Sequence, residues 1–249
     1  MSIAGRTLRA TVLRPGRVWR VPWGIARGLR FEVQARAPLH TYLGTAEIEL
    51  AGSIRELARP GTRCFDVGGD SAYYALLLAR LTGAGVVSFE FDPGAIARME
   101  RNLALNPELA GRVEIVPAYV AHERVASPRA ETLDVLIAEG EVFEPDLLKI
   151  DVEGAEAGVL AGARELLRSR RPHVIIETHS RALEEECLRS LREAGYETPR
   201  IIDPRRWLPE RRGEGHNRWI VAPGAPARES GPGAPGDARS TGGIGAPAG

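Results

Sequence analysis

The sequence predicts an α/β fold, in which a mostly parallel β-sheet carries helices on both faces. Segments with strand-like composition alternate with segments of helical periodicity, and this alternation is typical of parallel sheets with crossover helices. The chain has 249 residues, enough for one such domain with appendages, and its hydrophobic content of 43% allows a sizeable core. Open parallel sheets bind ligands beyond the carboxyl ends of their strands. The residues at those ends therefore carry the functional signal.

The chain divides by composition into three expected segments. Residues 1–50 form an arginine-rich entry segment with short strands near 18–21 and 29–33. This basic start is either packed on the main domain or a surface for acidic lipid or an anionic substrate. Residues 51–222 form the main domain, and residues 223–249 form a Gly, Ala and Pro-rich tail that cannot bury a core and is expected to be disordered.

Within the main domain each element is predicted from its periodicity and its breakers. The first helix covers 48–57 and ends before Pro60-Gly61, and later helices end at Asn106-Pro107 and at Gly195. Residues 133–137 suit either a helix or a strand. The predicted strands are 63–67, 86–89, 113–116, 147–150, 173–177, 201–202 and 219–222, and the predicted helices between them are about 72–81, 92–106, 155–170 and 183–194.

Several classes of protein are excluded by composition. The formal net charge is zero, which argues against a general nucleic-acid binder. Cys64 and Cys187 form neither a disulfide framework nor a CxxC metal pair, as expected of a cytoplasmic protein. No apolar run reaches the roughly 20 residues of a membrane span, and the start lacks the apolar region of a secretory signal.

The strand predicted at 147–150 ends in charged residues. A strand buried on both faces should be apolar throughout, but Lys149, Asp151 and Glu153 interrupt this pattern within five residues. Strand alternation places Lys149 and Asp151 on the same face. Gly154 then allows a tight turn into the next helix. Lys149, the single lysine of the chain, either pairs with a neighbouring acid or takes part in chemistry.

A second feature follows the first core strand, where Asp66, Gly68, Gly69 and Asp70 turn into a helix. Glycine there lets the backbone approach a ligand. Glu90 ends the next strand, and an acid at this place accepts hydrogen bonds from the hydroxyls of a ribose. Together these residues predict a nucleoside-containing cofactor.

The choice of cofactor follows from what surrounds the glycines. The dinucleotide motif GxGxxG and the phosphate-binding GxxxxGK[ST] are absent. Asp66, before the glycines, disfavours a pyrophosphate and suits a cofactor with an ammonium and a sulfonium. The sequence thus predicts S-adenosylmethionine, bound by Asp66, Gly68, Gly69, Asp70, Glu90 and Asp151. Such a pair of acids is typical of class I methyltransferases.

Residues from about 42 to 219 resemble the FkbM-type methyltransferases. The segments that carry the resemblance are Phe-Asp-Val-Gly-Gly at 65–69 followed by Tyr-Tyr at 73–74, Phe-Glu-Phe-Asp-Pro at 89–93, Leu-Lys-Ile-Asp-Val-Glu-Gly-Ala-Glu at 148–156, and Arg-Pro-His at 171–173 with Glu-Thr-His at 177–179. The resemblance implies a Rossmann-like class I fold with a seven-stranded sheet and S-adenosylmethionine as donor. It also implies an acceptor hydroxyl on a small molecule, a sugar or a lipid-linked glycan.

The cofactor loop departs from the family pattern at two positions. The family usually has Asn and Gly where this chain has Asp70 and Ala72. We expect the methyl group of Ala72 to crowd the cofactor and weaken its binding, while the charge of Asp70 suits a cationic cofactor. A protein that keeps the fold but has lost catalysis is therefore an alternative function.

An alcohol acceptor must lose its proton, so the site needs a base. The candidates are Asp151, Glu153 and His179, with Lys149 as an orienting group or, if its pKa is lowered, as a base. Glu177 is expected to shape the pocket or to bond a neighbouring loop. The histidines show neither i, i+4 pairing nor HExxH, so no metal site is predicted, although a magnesium requirement stays undecided.

Three competing functions remain. Methyltransferases of nucleic-acid bases typically carry [Asp/Asn]-Pro-Pro-[Tyr/Phe] after the fourth strand, and this chain has no Pro-Pro pair. A catalytically inactive binding protein is compatible with Ala72, and a nicotinamide dehydrogenase lacks its glycine motif. No motif identifies the acceptor or the oligomeric state. The arginine-rich run at 205–212 is either a substrate lid or a solvated loop.

Overall fold

The computed structural model describes residues 13–35, 37–126, 129–204 and 216–224. The strands are β1 (Val18–Arg20), β2 (Arg30–Glu32), β3 (Cys64–Val67), β4 (Val86–Glu90), β5 (Val113–Pro117), β6 (Tyr119–Val120), β7 (Ala130–Glu131), β8 (Leu147–Ile150), β9 (His173–Thr178), β10 (Arg200–Ile202) and β11 (Arg218–Ala222). The helices are α1 (Leu39–Leu43), α2 (Ala51–Leu57), α3 (Tyr73–Thr82), α4 (Pro93–Ala104), α5 (Pro107–Ala110), α6 (Leu133–Ala138), α7 (Glu156–Ala161), α8 (Arg164–Ser169) and α9 (Arg181–Glu193).

The central sheet has seven strands in the order β10-β11-β9-β8-β3-β4-β5. Neighbours from β9 to β5 pair in parallel, whereas β11 runs antiparallel to both β9 and β10. The predicted fold class, a mostly parallel sheet with helices, is confirmed. Strand β11, the last one in the described part of the chain, lies inside the sheet between β9 and β10.

Each face of the sheet is covered by its own hydrophobic cluster. Leu147 belongs to the cluster that includes Leu76 and Trp219, while Leu148 and Ile150 belong to the other cluster. All four residues of β8 are buried, as a central parallel strand requires. Strand alternation therefore places Lys149 on the face of Leu147.

The described part of the entry segment packs against the same domain. The β1 and β2 strands pair, and Phe31 is buried in the cluster of Leu147. The side chain of Asn102 accepts a hydrogen bond from the backbone of Glu32, and that of Asn106 accepts one from the backbone of Arg30. The predicted division into three segments stays a prediction. The basic run at 205–212 and all but two residues of the tail lie outside the described residues.

The single helix predicted at 155–170 is wrong, because α7 and α8 are separated at Gly162. A Cβ atom on Gly162 would lie 2.1 Å from the carbonyl oxygen of Ala121, so the residue permits a close backbone approach. The carboxylate of Asp134 accepts hydrogen bonds from the amides of Glu165 and Leu166, which caps the start of α8.

The segment at 133–137, which suited either a helix or a strand, is part of helix α6. Its start is capped by the Thr132 hydroxyl, which accepts a hydrogen bond from the amide of Val135 at 3.1 Å. The short elements α1, α5, β6 and β7 were not predicted. Within the described ranges, none of the helices has the length and apolar character that crossing a bilayer requires.

Candidate functional site

The strand register brings the predicted polar residues together at one end of the sheet. Asp66 on β3 is paired with Ser88 on β4 and with Lys149 on β8. One alternation further on, the same face carries Glu90 and Asp151. The glycine turn after β3 and the charged turn after β8 are thus neighbours in space, as the sequence indicated.

A cleft of about 730 Å³ opens over these strand ends. Of the predicted site residues, five line this cleft: Gly68, Asp70, Glu90, Asp151 and Glu153. Phe91 and Tyr119 form its apolar side, with their ring centroids 5.3 Å apart in an edge-on arrangement. Phe91 is 60% exposed, so its ring is available to a planar ligand group.

Glu90 is held in place by the backbone around it. Its Oε1 atom accepts hydrogen bonds from the amides of Phe91 (2.8 Å) and Asp92 (2.9 Å), and its Oε2 atom accepts one from the amide of Asp70 (3.0 Å). A carboxylate has about four acceptor positions. Three are filled, so the carboxylate is fixed while keeping capacity for a ligand hydroxyl.

Asp66 and Gly69 support the cleft from below and do not line it. Asp66 is 1% exposed and accepts a hydrogen bond from the Ser88 hydroxyl at 2.9 Å. Burial raises the pKa of Asp66 to about 7, against the opposing effect of the Lys149 ammonium. A Cβ atom on Gly69 would lie 2.5 Å from the Met99 methyl group, so this glycine permits close packing of the turn on α4.

The two departures from the family pattern have a shared backbone cause. Asp70 has a φ of +40° and Ala72 a φ of +60°, the left-handed region that Asn and Gly adopt more easily. Ala72 is fully buried in the hydrophobic core at the start of α3. Ala72 does not belong to the lining of the cleft, and the expected effect of its methyl group on cofactor binding stays a prediction. Asp70 is exposed and forms an ion pair of 2.6 Å with Arg98 at the edge of the cleft.

Lys149 lies at the centre of a cluster of acids. Its ammonium is 3.6 Å from Oδ2 of Asp151 and 4.6 Å from the ring centroid of Tyr74. It is 1% exposed, and no hydrogen-bond acceptor lies within reach among the described residues. Burial lowers the pKa of Lys149, but nearby carboxylates, Asp151 first, outweigh burial and the pKa is raised. Lys149 was expected to act as a base only if its pKa were lowered, and this condition is not met.

Glu177, on β9, faces the same cluster. Its two oxygens accept hydrogen bonds from the Asn217 amide (2.9 Å) and the Trp219 indole (3.1 Å). Burial, with a contribution from the charge of Asp151, raises the pKa of Glu177 to about 8. As expected from the sequence, Glu177 bonds a neighbouring segment, here strand β11 and the residue before it.

His179 lies between two sets of acids. Its Nδ1 atom is 2.5 Å from Oε1 of Glu156, while its Nε2 atom is 3.7 Å from Asp151 and 3.9 Å from Glu177. The hydrogen bond to Glu156 is the main cause of a raised pKa of His179. Glu156 was not predicted as a site residue, although it ends the segment at 148–156. Glu153, which was predicted, is exposed on the turn with a φ of +45°.

Asp151, Glu177 and His179 could also be considered as metal ligands, since their ligand atoms lie within 4.8 Å of one another. The Lys149 ammonium, however, already supplies positive charge beside Asp151 and would repel a metal cation. The prediction that no metal is bound stays a prediction.

Part of the chain is similar to known methyltransferases. A model of the methyltransferase FkbM domain matches residues 120–198, the part of the chain that contains β8 and β9. The hexuronic acid methyltransferase AglP of Haloferax volcanii is 26% identical over 215 residues, which cover 79% of this chain and 80% of AglP. The predicted resemblance to FkbM-type methyltransferases is confirmed.

Solved structures show the same fold. The methyltransferase FkbM of Methylobacillus flagellatus matches with a TM-score of 0.51 and 16% identity, over 74% of this chain and 55% of that longer chain. An S-adenosylmethionine-dependent O-methyltransferase of Thermotoga maritima matches with a TM-score of 0.52 and 18% identity, over 84% and 77% of the two chains. The Rossmann-like class I fold is confirmed.

Proposed function

We propose that this chain, which has a class I fold and matches the methyltransferase FkbM domain model over residues 120–198, is an S-adenosylmethionine-dependent O-methyltransferase. The acceptor we propose is a hydroxyl group on a sugar, a glycan or another small molecule. The name of the AglP relative gives hexuronic acid as its substrate, which supports a sugar-type acceptor here.

The observation that carries the proposal is the fixed carboxylate of Glu90 in the cleft. Three backbone amides orient it, and it keeps capacity for a ribose hydroxyl. Gly68 lines the cleft at a place where a side chain would collide with the backbone of Asp151. The cleft lining has more acids than bases, and this negative charge favours a sulfonium and an ammonium; the acids are Asp70, Glu90, Asp92, Asp151 and Glu153, and the base is Arg98. These features fit S-adenosylmethionine.

When bound, S-adenosylmethionine supplies the methyl group, whose carbon–sulfur bond breaks with the electron pair remaining on sulfur. The chain's own residues bind and orient. Glu90 would hold the ribose, and Phe91 with Tyr119 would contact the adenine. Lys149 holds Asp151 at the cleft by their ion pair. The same cluster of acids would repel an acceptor carboxylate, which is why we propose a hydroxyl.

The proposal is tested by calorimetric titration with S-adenosylmethionine. We expect micromolar affinity for the wild type and a loss of about 10- to 150-fold in Glu90→Ala, the range of a hydrogen bond to a charged group. Glu100→Ala, an exposed acid on α4, serves as the matched control and should bind like the wild type. Equal affinity in a folded Glu90→Ala variant would contradict the proposed donor site.

Binding without any methyl transfer would favour the inactive alternative. A screen of hydroxylated sugars for methyl transfer separates the active enzyme from the inactive alternative. The products are analysed so that methyl ethers are distinguished from methyl esters. Since Ala72 is buried in the core and does not line the cleft, we expect transfer.

A further inference from the structure

Glu156 is a buried carboxylate that contacts an imidazole across the sheet end. It is fully buried as the first residue of α7, 23 residues before His179 in the sequence. Its Oε1 atom also accepts a hydrogen bond from the amide of Gly154 at 3.1 Å. Oε1 already acts as an acceptor toward Gly154, and an acceptor pairs with an imidazole that is protonated on Nδ1. This contact fixes both the orientation and the tautomer of His179.

The other ring nitrogen of His179 faces the cluster and has no hydrogen bond to any of the residues that the structure describes. Its distances to Asp151 and Glu177, 3.7 and 3.9 Å, exceed those of hydrogen bonds. Asp151 lines the cleft. In the neutral imidazole Nε2 therefore presents its lone pair next to the wall of the cleft.

We infer that His179 is the base of methyl transfer and that Glu156 is a positioning residue, which keeps the neutral imidazole protonated on Nδ1 so that Nε2 can accept a proton. This inference rests on the proposed function. The proton leaves the acceptor hydroxyl and bonds to Nε2, while the acceptor oxygen keeps the electron pair with which it bonds the methyl carbon. The resulting imidazolium is stabilised by Glu156 on one side and by Asp151 and Glu177 on the other.

The charges that face His179 agree with this role. Glu156 on α7, Asp151 after β8 and Glu177 on β9 all favour the imidazolium, while the Lys149 ammonium lies beyond Asp151. The raised pKa of His179 follows, with the hydrogen bond to Glu156 as its main cause. Since only the neutral form is a base, the proton-transfer step should accelerate as pH rises through that pKa.

The test is the nitrogen-15 NMR spectrum of the imidazole groups, with the His179 signals assigned by His179→Gln. We expect the neutral His179 to carry its proton on Nδ1, and we expect Glu156→Gln to lower its pKa and to remove the tautomer preference. Glu185→Gln, an exposed acid on α9, should change neither. A wild-type proton on Nε2, or a pKa unaffected by Glu156→Gln, would overturn the inference.

Two further measurements separate this inference from the donor site. Glu156 is fully buried outside the cleft lining, whereas the His179 side chain is 22% exposed beside Asp151, so Glu156→Gln should keep the wild-type affinity for S-adenosylmethionine. A folded wild type without that affinity would contradict the proposed function, whatever the tautomer. The pH profile of kcat/KM for methyl transfer is the second measurement. If Glu156 positions His179, the acid limb of this profile lies at lower pH in Glu156→Gln than in the wild type. A merely structural role would lower the folded fraction and leave the limb in place.

Discussion

The α-carbon of Gly68 lies against the backbone carbonyl of Asp151, so closely that a Cβ atom would come within 1.8 Å of that oxygen. Gly68 also has a φ of +95°. Two turns that carry site residues, one after β3 and one after β8, are therefore in backbone contact. A glycine is therefore needed at this position for two independent reasons. The contact leaves no space for a Cβ atom, and the φ is in the left-handed region that favours glycine.

Gly68→Ala should be much more harmful than a glycine substitution with the same backbone strain. Gly61 has a similar φ of +87°, but its Cβ atom would meet nothing within 4 Å. We expect Gly61→Ala to cost about 1–2 kcal/mol in the free energy of unfolding, the penalty of a left-handed residue. Gly68→Ala should cost more and should also abolish binding of S-adenosylmethionine. Denaturant unfolding and calorimetry on both variants check this, and equal losses would contradict it.

Asp66 should make the protein less stable as pH rises. Its pKa is about 7 in the folded state against an ordinary value of 3.8, so the folded state holds the proton more tightly. The free energy of unfolding should then fall between about pH 4 and pH 7, by up to about 4 kcal/mol. Asp66→Asn should remove this contribution, whereas Glu114→Gln, an exposed acid on β5, should not. Denaturant unfolding across this pH range measures the difference, and parallel curves for wild type and Asp66→Asn would contradict it.

Lys149→Met should destabilise the fold although it keeps most of the side-chain volume. Removing the ammonium leaves Asp66, Asp151 and Glu177 without their buried cation. We expect a loss of about 2–4 kcal/mol, less than a full buried-charge penalty because Asp66 and Glu177 can take up protons. Thermal unfolding at neutral pH tests this. A variant as stable as the wild type would show that the cluster does not depend on the ammonium.

The single lysine allows a direct test of its environment. Reductive methylation with carbon-13 formaldehyde should leave Lys149 unmodified in the folded protein, because the amine is buried and its raised pKa keeps it protonated. The urea-unfolded chain is the control and should be methylated fully. Rapid methylation of the native protein would mean that the ammonium is accessible.

The ion pair between Asp70 and Arg98 should tune affinity more than stability. Asp70 is exposed, so loss of the pair should change the free energy of unfolding by at most about 1 kcal/mol. Arg98→Ala frees the carboxylate and removes a cation from the cleft, which should tighten binding of cationic S-adenosylmethionine a few-fold at low salt. Asp70→Asn should weaken it. Calorimetry at two salt concentrations checks both directions, and no change in either variant would exclude a role for the pair.

The strands and the position of Glu90 could be predicted because they depend on local pattern. Buried parallel strands are short apolar runs, and a charged residue at the end of such a run marks the end of the sheet. The helix at 155–170 failed for a tertiary reason. The helix propensity of a single glycine such as Gly162 does not by itself predict a break. The break coincides with the close approach of Ala121, which cannot be predicted from the sequence.

How deeply each site residue is buried could not be predicted from the sequence either. Alternation places Asp66, Lys149 and Asp151 on one face, but it does not tell which of them reaches the cleft and which is buried below it. The contact of Glu156 with His179 depends on how α7 packs beside the end of β9. No local pattern reports such a contact. Whether the predicted residues act in binding and catalysis stays a proposal.

The position of β11 inside the sheet has a consequence for the order of assembly during synthesis. Glu177 receives its hydrogen bonds from Asn217 and Trp219, which are 40 and 42 residues further along the chain. A growing chain therefore reaches β9 well before the donors that satisfy its buried carboxylate have been made. Until β11 inserts, the edge of β9 stays open to other strands, and a chain ending before Arg218 would keep that edge exposed permanently.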